Sequence, residues 1–324
     1  MIVITGGAGF IGSVLAWKLN GLGRRDLLII DQKAEHSPKW KNIEKRTFAG
    51  YFESEVFIEK LEQGAFNGKI SAIFHLGACS DTTETNKAYL KENNTVYSER
   101  VASWCAAHNV YLQYASSAAT YGDGELGFSD DDELTPKLKP LNPYGRSKLD
   151  FDMWVLKKGF EKKITGLRYF NVYGPNEYHK GEMRSMVHKG FDQVQATGKM
   201  RLFKSYKEEY PDGGQKRDFV YVKDAVDVMM WFYENPKQKG IFNLGAGRAQ
   251  SWNELARALF RACEKPENIE MIEMPEAIKN QYQYFTEADL KKLRGAGCNE
   301  KFYDVENGIS DTVKNYLLKP DPYL

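Results

Sequence analysis

The glycines near the start of the chain constrain its fold more than any other feature. A β-branched run at residues 2–4 leads directly into Gly6, Gly9 and Gly12, and a helix-like stretch follows them. This spacing between a strand and a helix permits a tight turn, a close backbone approach to a pyrophosphate and close helix–sheet packing. The free N–H groups at the helix start then face the phosphate. The pattern predicts a dinucleotide-binding unit in which these three glycines contact the cofactor.

An acidic residue closes the second predicted strand. Residues 27–30 form an apolar run that ends at Asp31, about 20 residues beyond the glycines, where a carboxylate binds the ribose hydroxyls of NAD. The same charge would repel the 2′-phosphate of NADP, whereas Lys33 and Lys39 downstream can offset it. This position therefore leaves the choice between NAD and NADP open.

Short apolar runs alternate with helix-like stretches in the first half of the chain. Continuous apolar strands separated by helices are typical of a parallel sheet covered on both faces. We therefore predict an α/β fold with a Rossmann-type doubly wound parallel sheet. Its predicted strands are 2–4, 27–30, 72–75, 111–115 and 164–169, and its predicted helices are 11–22, 87–108 and 144–159.

The alternation weakens after Gly174 and Pro175. Strands are predicted again at 217–222 and 241–244, and helices at 223–233, 252–263, 287–293 and 305–317. We predict a nucleotide-binding domain over residues 1–175, with returning segments near 217–245. Residues 176–324 then form a smaller, mixed α/β cap that binds the substrate.

The composition excludes several other classes of protein. The chain has 324 residues, 42% of them apolar, which suffices for a sizeable core, and its net charge of +1 gives no electrostatic footprint for nucleic acid or membrane. The four cysteines and five histidines show no metal-binding spacing. There is no basic leader and no run of about 18 apolar residues. We expect a cytoplasmic protein with free thiols, without metal, nucleic-acid or membrane partners.

Two motifs carry acid–base chemistry. Tyr144 and Lys148 stand four residues apart on a predicted helix, so they share a face, and the ammonium favours the ionised phenol. Moving a tyrosine pKa from about 10 to near 7 requires roughly 4 kcal/mol of differential stabilisation. Ser116 and Ser117 end a predicted strand, where a hydroxyl can hydrogen-bond the reacting oxygen. This combination predicts hydride chemistry on an alcohol.

The residues described so far resemble the extended short-chain dehydrogenase/reductases, and the segment 168–175 is similar to the one that ends their dinucleotide domain. Within that superfamily the chain resembles the ADP-L-glycero-D-manno-heptose 6-epimerases nearly from end to end. Ala118 and Ala119 stand where dehydratases place an acid pair, so water elimination would lack its general acid and base. The most telling segments are 75–80, 116–122, 179–181, 240–245 and 282–290.

This resemblance implies an isomerase without net redox change. Bound NADP takes a hydride from C6 of the heptose and returns it to the other face of a 6-keto intermediate. The reaction interconverts the D-glycero and L-glycero forms of ADP-β-D-manno-heptose. Two proton-transfer groups serve the two epimers, and Tyr144 and Lys180 match them. Lys148 matches the ribose-binding lysine, and Ser117 matches the partner of the substrate hydroxyl.

The resemblance also implies the remaining binding residues. Further cofactor positions are Phe10, Ile11, Asp31, Gln32, Lys39, Leu76, Gly77, Ala78, Asn93, Lys148, Val172 and Lys180. Substrate positions are Ser80, Ser117, Asn171, Glu182, His188, Phe203, Arg217 and Tyr282. A guanidinium fork at Arg217 suits a diphosphate. The family further implies a homo-oligomer, possibly a pentamer, that serves lipopolysaccharide inner-core synthesis in a Gram-negative cytoplasm.

Three departures from the family keep alternatives open. Ser54 stands where a phosphate-facing lysine can occur, so NAD remains an alternative to NADP. Glu182 replaces a small polar residue, and residues 207–214 lengthen a loop near the substrate, so the exact sugar remains open. One rival is a UDP-hexose 4-epimerase, which would not need Lys180 as a second base. Another is a non-catalytic nucleotide-sensing module, against which the intact set of Ser117, Tyr144 and Lys148 argues.

Overall fold

The computed structural model describes residues 1–32, 37–279 and 282–324, so that Lys33 lies outside the described residues. The strands are β1 (Ile2–Thr5), β2 (Leu27–Ile30), β3 (Gly50–Phe52), β4 (Ala72–His75), β5 (Tyr111–Ser117), β6 (Thr165–Tyr169), β7 (Asn171–Tyr173), β8 (Met200–Phe203), β9 (Lys216–Tyr221), β10 (Gly240–Leu244), β11 (Ala249–Ser251) and β12 (Ile269–Ile272). The helices are α1 (Phe10–Gly21), α2 (Ser54–Glu62), α3 (Lys87–Leu90), α4 (Tyr97–His108), α5 (Pro143–Lys157), α6 (Met186–Thr197), α7 (Val222–Glu234), α8 (Trp252–Ala262), α9 (Glu276–Lys279), α10 (Lys291–Gly295) and α11 (Val305–Thr312).

A seven-stranded parallel sheet forms the centre of the molecule, in the order β10-β6-β5-β4-β1-β2-β3. The chain order runs outward in opposite directions from β1, so the carboxyl ends of β1 and β4 flank a topological switch point. Ligands of open α/β sheets bind in the crevice outside the strands at such a point. The sheet confirms the predicted Rossmann-type fold and places the glycine-rich loop at this crevice.

The side chains of β1 show how the sheet buries both faces. Ile2 and Ile4 join the buried cluster that includes Val14 of α1, whereas Val3 points to the other face and joins Phe57 of α2. This alternation follows from the period of two along a strand. Each such side chain that leaves water contributes roughly 1.5–3 kcal/mol. The continuous apolar runs of the sequence are therefore explained by helices that cover both faces.

The second half of the chain builds two smaller sheets. One has the order β11-β9-β7, and the other pairs β8 with β12 in parallel. The predicted returning segments are divided between these layers, since β10 pairs with β6 in the large sheet while β9 pairs with β7 and β11. The helices α6, α8 and α11 pack around the smaller sheets. In the part of the chain that the structure describes, no helix is long and apolar enough to span a bilayer.

Three predicted helices differ from those observed. The helix predicted at 287–293 begins only at Lys291, because the Ala288 N–H before it donates to the Asp218 carboxylate at 2.9 Å. The helix predicted at 305–317 is α-helical only to Thr312, and Val313–Leu317 is π-helical. Within the predicted helix 87–108, the segment Lys91–Val96 is π-helical. Single π turns inside helices occur frequently at functional sites, and this one lies beside the crevice.

Candidate active site

The glycine-rich loop forms a backbone cradle at the switch point. Gly6 has a φ of +66° and donates its N–H to the Ile30 carbonyl at 2.7 Å, which turns the chain sharply after β1. A side chain at Gly12 would place its Cβ only 2.3 Å from the Gly6 carbonyl oxygen. Among the described residues no side chain caps the start of α1, which leaves its first N–H groups available to an anion. These features fit the pyrophosphate of a dinucleotide.

A cleft extends from this cradle along the carboxyl ends of the strands, and most predicted cofactor residues line it. These residues are Gly6, Gly9, Phe10, Ile11, Gly12, Asp31, Gln32, Lys39, Leu76, Gly77, Ala78, Asn93 and Lys180. Ser54 and the predicted substrate residue Ser80 line it too. Lys148 reaches the edge of the cleft through Ala115, whereas Val172 lies outside the lining.

Asp31 is buried at the end of the cleft, and its two carboxylate oxygens have different partners. One oxygen accepts the Ala8 N–H at 3.0 Å, and the other accepts the Gln32 N–H at 2.8 Å and pairs with the Lys39 ammonium. Sequence reasoning left the effect of Lys39 on this charge open. The structure brings the two together, so the carboxylate is neutralised where an adenosine ribose would lie.

The helix α5 places Tyr144 and Lys148 below the cleft. Asn142 caps the helix by accepting the Gly145 N–H at 2.7 Å, which puts Tyr144 in the first turn. Burial raises the pKa of the Tyr144 phenol, and a hydrogen bond with Ser117 opposes this effect. Lys148 donates to the Ala115 carbonyl at 2.9 Å, and burial lowers its pKa to about 8.

A fully buried ion pair, which sequence reasoning missed, supports the end of β5. Asp152 accepts hydrogen bonds from Tyr114, Ser116 and Arg168, each at 2.9 Å, and the Asp152 and Arg168 side chains have no exposed surface. Through Tyr114 and Ser116, Asp152 holds the strand that carries Ser117 against α5, the helix that carries Tyr144 and Lys148. The only sequence signal was an aspartate one helical turn after a predicted catalytic lysine.

A second buried network joins the floor of the cleft to α4. The Ser98 hydroxyl donates to the Asn94 carbonyl at 2.7 Å, so the His75 Nε2–H must be the donor in its 2.8 Å contact with Ser98. His75 Nδ1 then accepts the Thr5 hydroxyl at 2.7 Å, and the Thr5 oxygen accepts the Gly77 N–H at 3.0 Å. Burial lowers the pKa of His75 to about 3, so the ring is neutral.

The π-helical segment Lys91–Val96 presents two successive asparagines to the site. Asn93 lines the cleft, whereas Asn94 is buried and accepts the Cys79 N–H at 2.8 Å. The Asn94 amide also donates to the Ser147 hydroxyl at 3.0 Å, and that hydroxyl donates to the Tyr144 carbonyl at 2.7 Å. Asn94 therefore ties the rim of the cleft to the first turn of α5, a role that sequence reasoning missed.

Lys180 enters the cleft from the other side. It belongs to the 3₁₀ segment Tyr178–Met183, and its ammonium lies 5.6 Å from the centroid of the Phe10 ring at the start of α1. Burial lowers the pKa of Lys180, and the nearby Glu177 carboxylate opposes this effect. The neighbouring His179 lies 3.2 Å from the Asn42 amide, and burial lowers its pKa to about 4.

Arg217 forms the centre of a second group of predicted residues. Its side chain is buried, with the guanidinium carbon 5.7 Å from the Trp252 ring centroid and 5.2 Å from the Tyr282 ring centroid. Trp252 donates its indole N–H to the Tyr282 hydroxyl at 2.9 Å, and Phe203 packs against the same tyrosine. Burial lowers the pKa of Arg217, and no carboxylate within the described ranges pairs with it. A buried cation without a counter-charge fits an anionic ligand.

The remaining predicted substrate residues occupy different environments. His188 is buried beside Tyr178, and within the described chain its Nε2 atom has no hydrogen-bond partner. Asn171 and Glu182 are exposed, and neither lines the cleft described above. The described residues contain no cluster of three or more histidine, cysteine or acidic side chains that could hold a metal ion.

Comparisons with known proteins agree with this geometry. The family model described as "NAD dependent epimerase/dehydratase family" matches residues 2–245. The chain is 48% identical over 324 residues to the ADP-L-glycero-D-manno-heptose-6-epimerase of Nitratidesulfovibrio vulgaris (strain DP4), and 47% identical over 333 residues to the protein of that name from Fusobacterium nucleatum, with 100% of both chains covered in each case.

Solved structures show the same architecture. The ADP-L-glycero-D-manno-heptose-6-epimerase of Helicobacter pylori superposes with a TM-score of 0.77 at 26% identity, over 97% of this chain and 95% of that one. The Thermus thermophilus UDP-glucose 4-epimerase in complex with NAD gives a TM-score of 0.73 at 23% identity, over 96% and 97% of the two chains. The second likeness shows a shared fold alone.

Proposed function

We propose that the cleft of this chain inverts C6 of ADP-glycero-β-D-manno-heptose. The chain belongs to the NAD dependent epimerase/dehydratase family and, within it, to the ADP-L-glycero-D-manno-heptose-6-epimerases. One observation carries the proposal: two ionisable groups approach one cleft from separate elements. Lys180 lines the cleft from the segment before α6, and the first turn of α5, which carries Tyr144, is linked to the cleft residue Cys79 through the hydrogen bonds of Asn94. Inversion needs a proton-transfer group for each epimer.

A nicotinamide dinucleotide held by the glycine cradle and the Asp31–Lys39 pair would supply reversible hydride transfer at C6. The chain's own groups manage the proton on the C6 oxygen. Tyr144 exchanges that proton for one epimer, with Ser117 as its hydrogen-bond partner. Lys148 is mostly protonated at pH 7, because its pKa is lowered only to about 8, and its charge favours the Tyr144 phenolate.

Lys180 exchanges the proton for the other epimer. A lysine amine is a base only when it is neutral, and burial lowers the pKa of Lys180, which favours the neutral amine. This second base distinguishes the proposal from a UDP-hexose 4-epimerase, which would not need it. The same pair of groups argues against a non-catalytic sensing module.

Arg217 anchors the diphosphate of the substrate in this proposal. The buried guanidinium offers a planar fork of donors, and a diphosphate would supply the counter-charge that it lacks among the described residues. Trp252 and Tyr282 restrict the fork to one orientation. Among the described residues the buried His188 Nε2 atom has no hydrogen-bond partner, and we propose that it makes a further polar contact with the substrate.

We propose NADP as the preferred cofactor, with NAD as the alternative. The Lys39 ammonium neutralises Asp31, which removes the charge that would repel a 2′-phosphate, and Lys39 itself lines the cleft. The residues that would hold the dinucleotide are the glycine cradle and this ion pair. Heat release of the bound cofactor, followed by mass spectrometry, distinguishes NADP from NAD. In a Lys39→Ala variant the cofactor bound to the purified protein should shift from NADP toward NAD.

The assembly and the cellular location are proposals as well. We propose a cytoplasmic homo-oligomer, possibly a pentamer, with α4 and α5 available for subunit contacts because Trp104 and Trp154 line a groove between them. Light scattering on the purified protein measures the oligomeric state. A monomer at micromolar concentration would contradict this proposal without affecting the proposed reaction.

The activity test uses ADP-D-glycero-β-D-manno-heptose without added cofactor. Anion-exchange chromatography should show the L-glycero epimer without net release of reduced cofactor. Lys180→Met should abolish conversion, whereas the matched control Lys237→Met, at an exposed lysine, should leave it unchanged. No conversion, even with added NADP or NAD, would contradict the heptose assignment. Conversion of a UDP-hexose instead would favour the 4-epimerase.

A further inference from the structure

The segment of residues 321–324 packs against the loop that carries Lys180. The Tyr178 hydroxyl donates to the Pro322 carbonyl at 2.7 Å, and the Tyr178 and Tyr323 rings meet edge-to-face at 4.9 Å. The Leu324 N–H donates to the Asn176 side chain at 3.1 Å, and the Leu324 side chain is itself buried. Both residues contacted, Asn176 and Tyr178, lie within four positions of Lys180.

A second set of contacts holds the 321–324 segment from the opposite side. The Lys45 ammonium donates to the Tyr323 carbonyl at 2.7 Å and pairs with Asp321 at 2.7 Å. The Arg46 guanidinium donates to the Leu324 carbonyl at 3.0 Å. These two cations immediately follow the 3₁₀ segment Pro38–Ile43, which contains the cofactor-facing Lys39.

Asn42 and Asn176 connect these parts to the glycine cradle. The Asn42 amide donates to the Ala8 carbonyl and to the Asn176 carbonyl, each at 3.0 Å. Asn176 is fully buried, donates to the Ser13 hydroxyl at 3.0 Å and has a φ of +74°. A non-glycine residue keeps a positive φ only where its surroundings enforce it. The chain is therefore fixed at Asn176, directly before the loop.

The loop itself has little regular structure to hold it. Its backbone is interrupted at Gly181, where φ is +53°, and the Lys180 N–H bonds only locally, to the Glu177 carbonyl at 3.0 Å. Segments with few contacts of their own open at a low free-energy cost. Within the loop, the Glu177 carboxylate accepts the Ser185 hydroxyl at 2.6 Å, and the contacts through Tyr178 add to this bond from outside the loop. The same ring also packs against His188 at 4.8 Å, on the proposed substrate side.

We infer that the 321–324 segment is a positioning element of the active site, which holds Lys180 over the start of α1 through Tyr178 and Asn176. The inference rests on the proposed role of Lys180 as the second base. The segment touches no reacting atom. It acts by limiting the positions that the Lys180 amine can take, and a misplacement of about 1 Å at a catalytic group can cost on the order of 100-fold in rate.

The test removes side-chain contacts of the 321–324 segment and measures directly how often the loop opens. We compare wild type, Tyr323→Ala combined with Leu324→Ala, and the control Lys319→Ala, which alters an exposed side chain just before the segment. Amide hydrogen exchange of residues 176–185 should rise about tenfold in the double variant while that of α5 stays unchanged. The turnover number should fall about 100-fold with little change in KM. The conservative Tyr323→Phe, which keeps the ring and the backbone contacts, should restore both.

Either of two results would contradict the inference. Exchange that rises equally in α5 would mean that the segment only supports the fold as a whole. Faster exchange at 176–185 with an unchanged turnover number would mean that the loop needs no such support. If the wild type itself fails to epimerise, the proposed function fails separately. In that case the rate at which an acylating reagent modifies the Lys180 amine, measured relative to the rate at Lys148, takes the place of the turnover number. This rate should still rise about tenfold in the double variant.

Discussion

Replacing Arg217 with methionine should stabilise the free protein and weaken nucleotide binding at the same time. Arg217 as a whole residue is 7% exposed and, among the described residues, pairs with no carboxylate. Its desolvation costs about 4 kcal/mol. The contacts with two aromatic rings and the hydrogen bond to the Lys216 carbonyl offset roughly 3 kcal/mol of this desolvation cost. Methionine fills similar space without a charge, so the unfolding free energy should rise by about 1 kcal/mol.

The effect on binding has the opposite sign. A hydrogen bond from a charged donor contributes about 1.5–3 kcal/mol, so the KM for the ADP-sugar should rise roughly 10- to 100-fold. Urea unfolding with and without ADP measures both effects. At an ADP concentration of 100 times the wild-type Kd, the wild type should gain about 2.7 kcal/mol, whereas a variant that binds 10- to 100-fold more weakly should gain only about 0.4–1.4 kcal/mol.

Arg201→Met provides the control for the Arg217 experiment, because Arg201 is exposed and pairs only loosely with Glu270, at 3.6 Å. It should change neither the unfolding free energy nor KM by a measurable amount. The reasoning would be refuted if Arg217→Met unfolded at lower urea than the wild type while its KM stayed the same. That result would mean that the guanidinium serves the fold and not the ligand.

Three further predictions concern the cradle and the buried ionisable groups. Gly12→Ala places a Cβ 2.3 Å from the Gly6 carbonyl oxygen, so the purified variant should lose its bound dinucleotide; an unchanged 260/280 nm absorbance ratio after desalting would contradict this. The Lys148 ammonium is lost as pH rises through its pKa of about 8, so kcat should decline above that pH; a kcat that keeps rising to pH 10 would be inconsistent with its role. The pKa of His75 is about 3 in the folded protein, against an ordinary value of 6.5, so between these values the unfolded chain binds a proton that the folded protein does not. The contribution of His75 to the free energy of unfolding is therefore complete above pH 6.5 and is lost by about 1.4 kcal/mol per pH unit as the pH falls toward 3. Urea titrations from pH 4 to 7 should show a shallower slope for His75→Gln, and equal slopes would disprove the neutral buried ring.

Local patterns made most of the nucleotide-binding half of the molecule predictable, although β3 and α2 were not among the predicted elements. The strand, the glycines and α1 follow one another within about 20 residues, and the apolar runs of β1, β2 and β4 are buried on both faces as expected. The pair Tyr144 and Lys148 was predictable because both stand on one turn of one helix. These features depend on short-range spacing, which a sequence displays directly.

Long-range pairing decided the rest. The strands β8 and β12 pair across about 70 residues, and neither is apolar enough to be recognised alone. Residues 287–290 have helical character, yet the Asp218 carboxylate accepts the Ala288 N–H at 2.9 Å, which removes that donor from a helix. The networks around Asp152 and Asn94 join residues that lie up to 53 positions apart in the sequence. No local pattern identifies such partners.

The central claim is that C6 is inverted by removal and return of the same hydrogen within one closed site. Substrate carrying deuterium at C6 tests this most directly, with the product analysed by mass spectrometry and NMR. We expect the L-glycero product to retain its deuterium fully, and unlabelled substrate converted in D₂O to gain none at C6. Loss of the label to solvent, or its appearance from D₂O, would show that a proton and not a hydride leaves C6, and would contradict the account.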